Sequence, residues 1–324
     1  MNWHTTTRVL ILILLAIDLV IGSALYRERR SAAYLPDDMT QEALLNLSEK
    51  NITAVGKLDT RIYTETVFSY TAQTAYADTA RAEAHTAYSS VLAALSFLTD
   101  RSLSFVEENV HYFDTPDGLS LSVADEDQNP LGAAAIAGKT HFEFVCSELS
   151  ESPLAGVSEL TFSQSDDSIP SSVKKGLSAF FDSVYSDTVS FELLSCVRKE
   201  DYALARCDIT LNGRPIYGMR LYAAVRVRDG KIGALDGDLF FSEPTGAYNA
   251  SLLDGINILY HLDAAQSAPV SEGATEILSE RLFYSFYQYD TGDYYLVPAW
   301  EIVCRVDNTE SVVCLNALNG KAVS

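Results

Sequence analysis

Residues Val9 to Leu25 form a 17-residue apolar run that carries one ionisable residue, Asp18, and everything after it has the composition of a water-soluble protein. A helix that crosses the hydrocarbon core uses about 20 apolar residues. The run therefore predicts a single transmembrane anchor, with Trp3 and Tyr26 at the two interfaces and Arg8 snorkelling outward. A cleaved signal peptide is the competing reading. It would have a shorter apolar stretch followed by a small-x-small site, of which Gly22-Ser23-Ala24 is a poor version.

Arg27, Arg29 and Arg30 follow the run, against Arg8 before it. By the positive-inside count alone, the flank after the helix faces the cytoplasm, although long domains weigh little in that rule.

Some 290 residues remain after the anchor, enough for one large domain or two of ordinary size. A hydrophobic content of 48% supports a packed core. The net charge is −21 and the first 30 residues contribute +2, so the body carries −23. That charge repels a phosphate backbone and argues against nucleic-acid binding. It also repels anionic lipid headgroups.

Of the five cysteines, Cys196 and Cys207 flank one polar turn, and Cys304 and Cys314 flank another. Each pair is placed to face across a hairpin, so two cross-strand disulfides are conceivable in an oxidising compartment. The alternative is that all five, Cys146 included, are small buried hydrophobes. No C-x-x-C occurs.

Along the body, Thr40 is the N-cap candidate of a helix reaching about Lys50. A strand is predicted at 60–70, a long helix at 77–99, and strands at 103–113, 119–123 and 140–146. Composition shifts to Ser, Asp and Pro over 148–172, which places a domain boundary near 150–168. A helix follows at 173–185. Four strands come next, at 189–198, 202–211, 216–228 and 231–241, joined by tight turns such as Asn212-Gly213 and Asp229-Gly230, an antiparallel meander. A helix is expected at 252–262, helix or strand at 275–289, and strands at 294–298, 299–306 and 311–315. Runs of strands beside separate helices define an α+β fold. The expected architecture is an N-terminal single transmembrane helix (1–30), then two units of antiparallel β-sheet packed with helices (31–160 and 161–324).

Motifs of chemistry are only grazed. Gly138-Lys139-Thr140 resembles the end of a phosphate loop, but its first glycine is out of place. Ser171 and Ser172 each stand three residues before a lysine, without the other motifs of the penicillin-binding enzymes, and read better as N-caps. Asp125, Asp127 and Asn129 imitate a calcium loop, with Pro130 where glycine is required. His141 and Glu143 share a strand face, yet two ligands do not make a metal site. The chain reads as non-catalytic, with no catalytic, cofactor-binding or metal residue. Asp18 differs, because an ionisable group inside a membrane helix costs about 2.5–3.5 kcal/mol on insertion scales and is functional by default. It reads as a contact with a partner transmembrane helix, against the alternative of a tolerated, protonated Asp.

The opening Met1-Asn2-Trp3, then Thr7-Arg8 and one apolar helix, resembles the start of YycI proteins, which stand with YycH among the accessory regulators of an essential two-component system. Leu35-Pro36-Asp37-Asp38 before Ala43-Leu44-Leu45 and Asn51-Ile52 is similar to the helix those proteins place after the anchor. The ending, Tyr295-Leu296-Val297-Pro298-Ala299-Trp300 and then Asn316-Ala317-x-x-Gly320, resembles theirs and also PepSY-like domains. The resemblance implies a cytoplasmic N-terminus and an extracytoplasmic body, against the bare arginine count. It implies a single-pass cell-membrane protein that modulates a sensor histidine kinase controlling cell-wall metabolism. Trp3, Arg8 and Asp18 would contact the kinase helices, and a sibling YycH-like protein is a further partner. No cofactor is implied. Because PepSY-like domains are associated with restraining peptidases, an anchored inhibitor or binding module acting on a cell-surface peptidase is the alternative.

Overall fold

A computed structural model of the chain describes residues 34–70, 93–98, 102–107, 110–114, 120–125, 139–146, 149, 152–154, 171–185, 188–240, 244–264, 274–288, 294–306 and 308–323. It is an α+β protein dominated by β-sheet, with few helices. Among the described residues no helix is long and apolar enough to cross a membrane. The run at 9–25 lies outside them.

The chain divides into two compact units. Unit 1 comprises Met1–Glu65, Asn249–Arg281 and Ala299–Ala322, and unit 2 comprises Thr66–Tyr248, Leu282–Pro298 and Val323–Ser324. Each unit draws on segments far apart in the sequence, where the composition shift placed a single boundary near 150–168. The cause is long-range pairing, which returns C-terminal strands to the N-terminal segment: Thr275 N–H donates to Asn51 O, and Leu252 N–H to Tyr63 O.

In unit 1, helix α1 spans Asp37–Glu49 and begins at the N-cap Pro36 rather than at Thr40. Proline is suited to a position that needs no N–H, and Asp37 and Asp38 in the first turn favour the positive helix end. Asn51 (φ 59°) turns the chain after the helix. Strand β1 (Ile52–Ala54) then pairs in parallel with the start of β12 (Thr275–Gln288). Of the span 275–289, Thr275–Gln288 is thus strand. The second half of β13 (Tyr294–Val306) forms an antiparallel hairpin with β14 (Thr309–Asn316). The expected helix at 252–262 is instead an extended start followed by a 3-10 helix, Asn257–Ala264. Asp254 caps this turn, its Oδ1 accepting from Ile256 and Asn257 N–H, so the helical geometry starts only after it. Strand β11 (Gly246–Ser251), before this segment, has no counterpart in the sequence reading.

Unit 2 is built on β7 (Val189–Lys199), β8 (Tyr202–Leu211), β9 (Arg214–Arg226) and β10 (Ile232–Phe240). This is the expected meander. The ladder continues antiparallel through β6 (Lys139–Val145), β5 (Ser120–Asp125), β4 (Val110–Asp114) and β3 (Ser102–Glu107). Two-residue turns close β7–β8 and β8–β9, where Glu200 (φ 55°), Asn212 (φ 51°) and Gly213 (φ 75°) take left-handed backbone. Helix α2 (Ser171–Val184) buries Val173, Leu177, Phe180, Phe181 and Val184. Ala203, Ala205, Cys207 and Ile209 of β8 and Leu221, Ala223 and Val225 of β9 join the same core. Gly176 lets α2 approach the β9–β10 turn, since a Cβ there would lie 2.1 Å from Gly230 O.

The sheets are not wholly antiparallel: β1 with β12, and Tyr284 with Ile216 of β9, pair in parallel. Strands expected at 294–298 and 299–306 are one strand. Pro298 sits between the ladder to β2 (Thr64–Tyr70), which ends at Leu296, and the ladder to β14, which starts at Ala299.

Candidate functional site

Trp3, Arg8 and Asp18 lie outside the described residues. The register sets the cysteine geometry. Cys304 is opposite Ser311 and Cys314 opposite Glu301, three rungs apart, so the two thiols leave opposite faces of the hairpin. Cys196 is opposite Ala205 and Cys207 opposite Leu193, which makes them diagonal rather than facing. Diagonal positions stand about 7–8 Å apart, beyond easy bridging. None of the five cysteines is in a disulfide, and four of them are buried. Burial pushes the Cys207 thiol well above the ordinary range, with Cys196 and Asp208 adding to it. Burial and then Glu301 push Cys314 up to about 12. A thiol so raised is a poor nucleophile.

Other near-motifs resolve structurally. Lys139 and Thr140 open strand β6, not a helix, so they hold no phosphate loop. Ser172 Oγ donates to Val227 O and ties α2 to the end of β9. Glu143 of β6 is opposite Asp236. Among the described residues no group of three or more His, Cys, Asp or Glu could hold a metal ion.

The residues that carry the C-terminal resemblance converge in unit 1. Trp300 is fully buried, and its Nε1 donates to Leu253 O at 2.8 Å. Its ring meets Tyr63 edge-on at 6.0 Å. Leu253 N–H donates to Ala317 O at 2.8 Å. Asn316, also fully buried, accepts from Leu318 N–H through Oδ1, while its carbonyl accepts from Gly320 N–H. Gly320 has φ 71°, and a Cβ there would strike the His261 ring at 2.2 Å. The Pro-x-Trp strand and the Asn-Ala-x-x-Gly turn therefore grip one segment, 252–264.

On this segment lies a cluster that the sequence reading missed. Asp254 Oδ1 accepts from the N–H groups of Ile256 and Asn257, and Oδ2 accepts from Asn257 Nδ2. Gly255 N–H donates to Asp59 O. Arg61 clasps Asp59 through Nε (3.0 Å to Oδ1) and NH2 (2.7 Å to Oδ2), and Tyr63 Oη adds a bond of 2.7 Å. Burial works against the Asp59 charge, but the bonds from Arg61 and Tyr63 hold its carboxyl below the usual range. Glu280 of β12 closes the cluster. Its Oε2 accepts from Asp59 N–H at 3.0 Å, and its Oε1 is buried with no hydrogen-bond partner. Burial, reinforced by Asp59 and Asp254, pushes Glu280 up to about 7. At neutral pH this carboxyl is poised between acid and carboxylate, which makes it the most chemically distinctive group described in unit 1. The Asp59–Glu280 bond joins residues 221 apart in the chain, so no local pattern marks the site.

No family model matches the chain, and no curated protein matches it. The solved structures to which it is similar include the following two. One is the crystal structure of an uncharacterized protein from Eubacterium rectale ATCC 33656, with 12% identity and a TM-score of 0.45 over 85% of this chain and 91% of that one. The other, a distant neighbour, is the Bacillus megaterium YpeB C-terminal domain, with 9% identity and a TM-score of 0.29 over 77% of this chain and 97% of that one. Neither likeness assigns an activity, a ligand or a partner.

Proposed function

We propose that this chain is a single-pass, membrane-anchored regulatory protein that modulates a two-component sensor histidine kinase. Its N-terminus is cytoplasmic and its body extracytoplasmic. The observation that carries the reading is the apolar run Val9–Leu25 with Asp18 near its middle. Burying that carboxyl in lipid is costly unless a neighbouring helix offers it a polar contact. The resemblance at the chain ends names the neighbour as a kinase helix. Physically the mechanism is a population shift. A bound partner biases a kinase between signalling states only by its differential affinity for them.

Affinity purification of the full chain from detergent-solubilised membranes, with identification of what co-purifies, tests this. A histidine kinase whose recovery falls in Asp18→Leu is the expected result. Recovery of a cell-surface peptidase instead would move the chain to the inhibitory module, and a kinase held equally well by Asp18→Leu would reject the membrane contact.

A further inference from the structure

We infer that Glu280, Asp59 and Asp254 form a proton-operated joint in unit 1, closed when Glu280 is neutral and loosened when it ionises. This goes beyond the regulatory reading and holds whichever partner the body has.

The geometry leaves Glu280 as the one unserved acid of the three. The Asp59 charge is taken up by Arg61 and by the Tyr63 hydroxyl. Asp254 is taken up by two backbone N–H groups and the Asn257 amide. Glu280 has a single donor, Asp59 N–H, and its other oxygen is buried without one. Removing an uncompensated charge from water is costly. Arg281, its chain neighbour, leaves the strand on the other side. From β13, Arg305 is engaged by Glu276 and Glu310. The acid can escape an unpaired charge only by keeping its proton or by moving away.

Moving away has consequences. Glu280 Oε2 would lie 2.5 Å from a Cβ on Gly255, so the carboxyl is wedged between the 57–61 loop and the 252–257 segment. Its departure breaks the bond from Asp59 N–H and frees the loop whose Asp59 O holds Gly255 N–H. The next residues along, Leu253 and Leu252, carry the Trp300 and Tyr63 attachments. A proton lost at Glu280 thus reaches the segment gripped by the C-terminal motif. The sign follows from linkage: the folded chain binds this proton more tightly than the unfolded chain does, so closure weakens as pH rises through neutrality.

The chain has two tryptophans, Trp3 and Trp300, so Trp3→Phe leaves Trp300 as the reporter. Trp300 emission and the thermal midpoint of the full chain in detergent micelles are followed from about pH 5 to pH 9. The expected result is a reversible change centred near neutrality with a falling midpoint, absent in Glu280→Gln. Should Glu280→Gln fail to fold, the exposed Arg61→Gln serves. Stripping Asp59 of its cation should move the transition to higher pH. His261→Gln, next to Gly320, should leave it in place. A flat profile in the parent chain, the same profile in Glu280→Gln, no displacement in Arg61→Gln, or loss of the transition in His261→Gln each overturns the joint.

Discussion

Gly320 shows how a single position can be fixed twice. Its φ of 71° penalises any side chain, and the His261 ring fills the space a Cβ needs. Gly320→Ala should therefore destabilise unit 1 by about 1–3 kcal/mol, seen as a lower urea midpoint of Trp300 fluorescence. Trp300→Phe removes the donor to buried Leu253 O and should cost about 1–3 kcal/mol by the same denaturation, read by circular dichroism. A Trp300→Phe midpoint equal to the parent's would show that the indole bond is not needed. At Glu280, a carboxyl moved from 4.5 to about 7 represents up to about 3 kcal/mol. That contribution is whole below about pH 4.5 and is lost as pH rises through about 7. Nothing in the sequence marks Glu280. It is one of many acids in an acidic chain, and its burial depends on Asp59.

At the scale of elements, local rules carried the meander and failed where distant partners intervened. Strand β8 lies at 202–211, as alternation and flanking turns predict. The Asn212-Gly213 turn needs only its own two residues to take positive φ. Around Gly213 a Cβ would meet nothing within 4 Å, so Gly213→Ala should cost only the backbone preference, about 1 kcal/mol. Gly176 inverts the usual expectation. Alanine in a helix interior gains about 1 kcal/mol over glycine, yet here its Cβ would collide with Gly230 O. Gly176→Ala should lose about 1–3 kcal/mol, visible as a lower denaturant midpoint. A stabilised Gly176→Ala would mean that α2 does not pack this closely. The helix expected at 252–262 is shortened at its start: its apolar spacing is genuine, but Asp254 caps the turn and the helical stretch is the 3-10 helix Asn257–Ala264.

For the whole molecule, the anchor proposed over residues 9–25 sets where the protein would work. A helix over 9–25 should keep the full chain in the membrane pellet through alkaline carbonate extraction. Release of a chain trimmed of its first residues would favour the signal-peptide reading. Protease added to intact cells should digest the body, and protection would reverse the orientation. The acidic body, the α+β class and the four-strand meander were determined by sequence alone. Each depends on composition, on a period of two, or on a turn of two residues, all of which act within a few positions of the chain. The two interleaved units, the single strand through Pro298, the offset cysteines and the Glu280 cluster were decided only by tertiary structure. Apart from the cysteine offsets, which are set by hairpin register, these arise where distant segments meet, as Phe68 does with Leu296, and which segments meet is set by the packing of whole sheets rather than by any local preference.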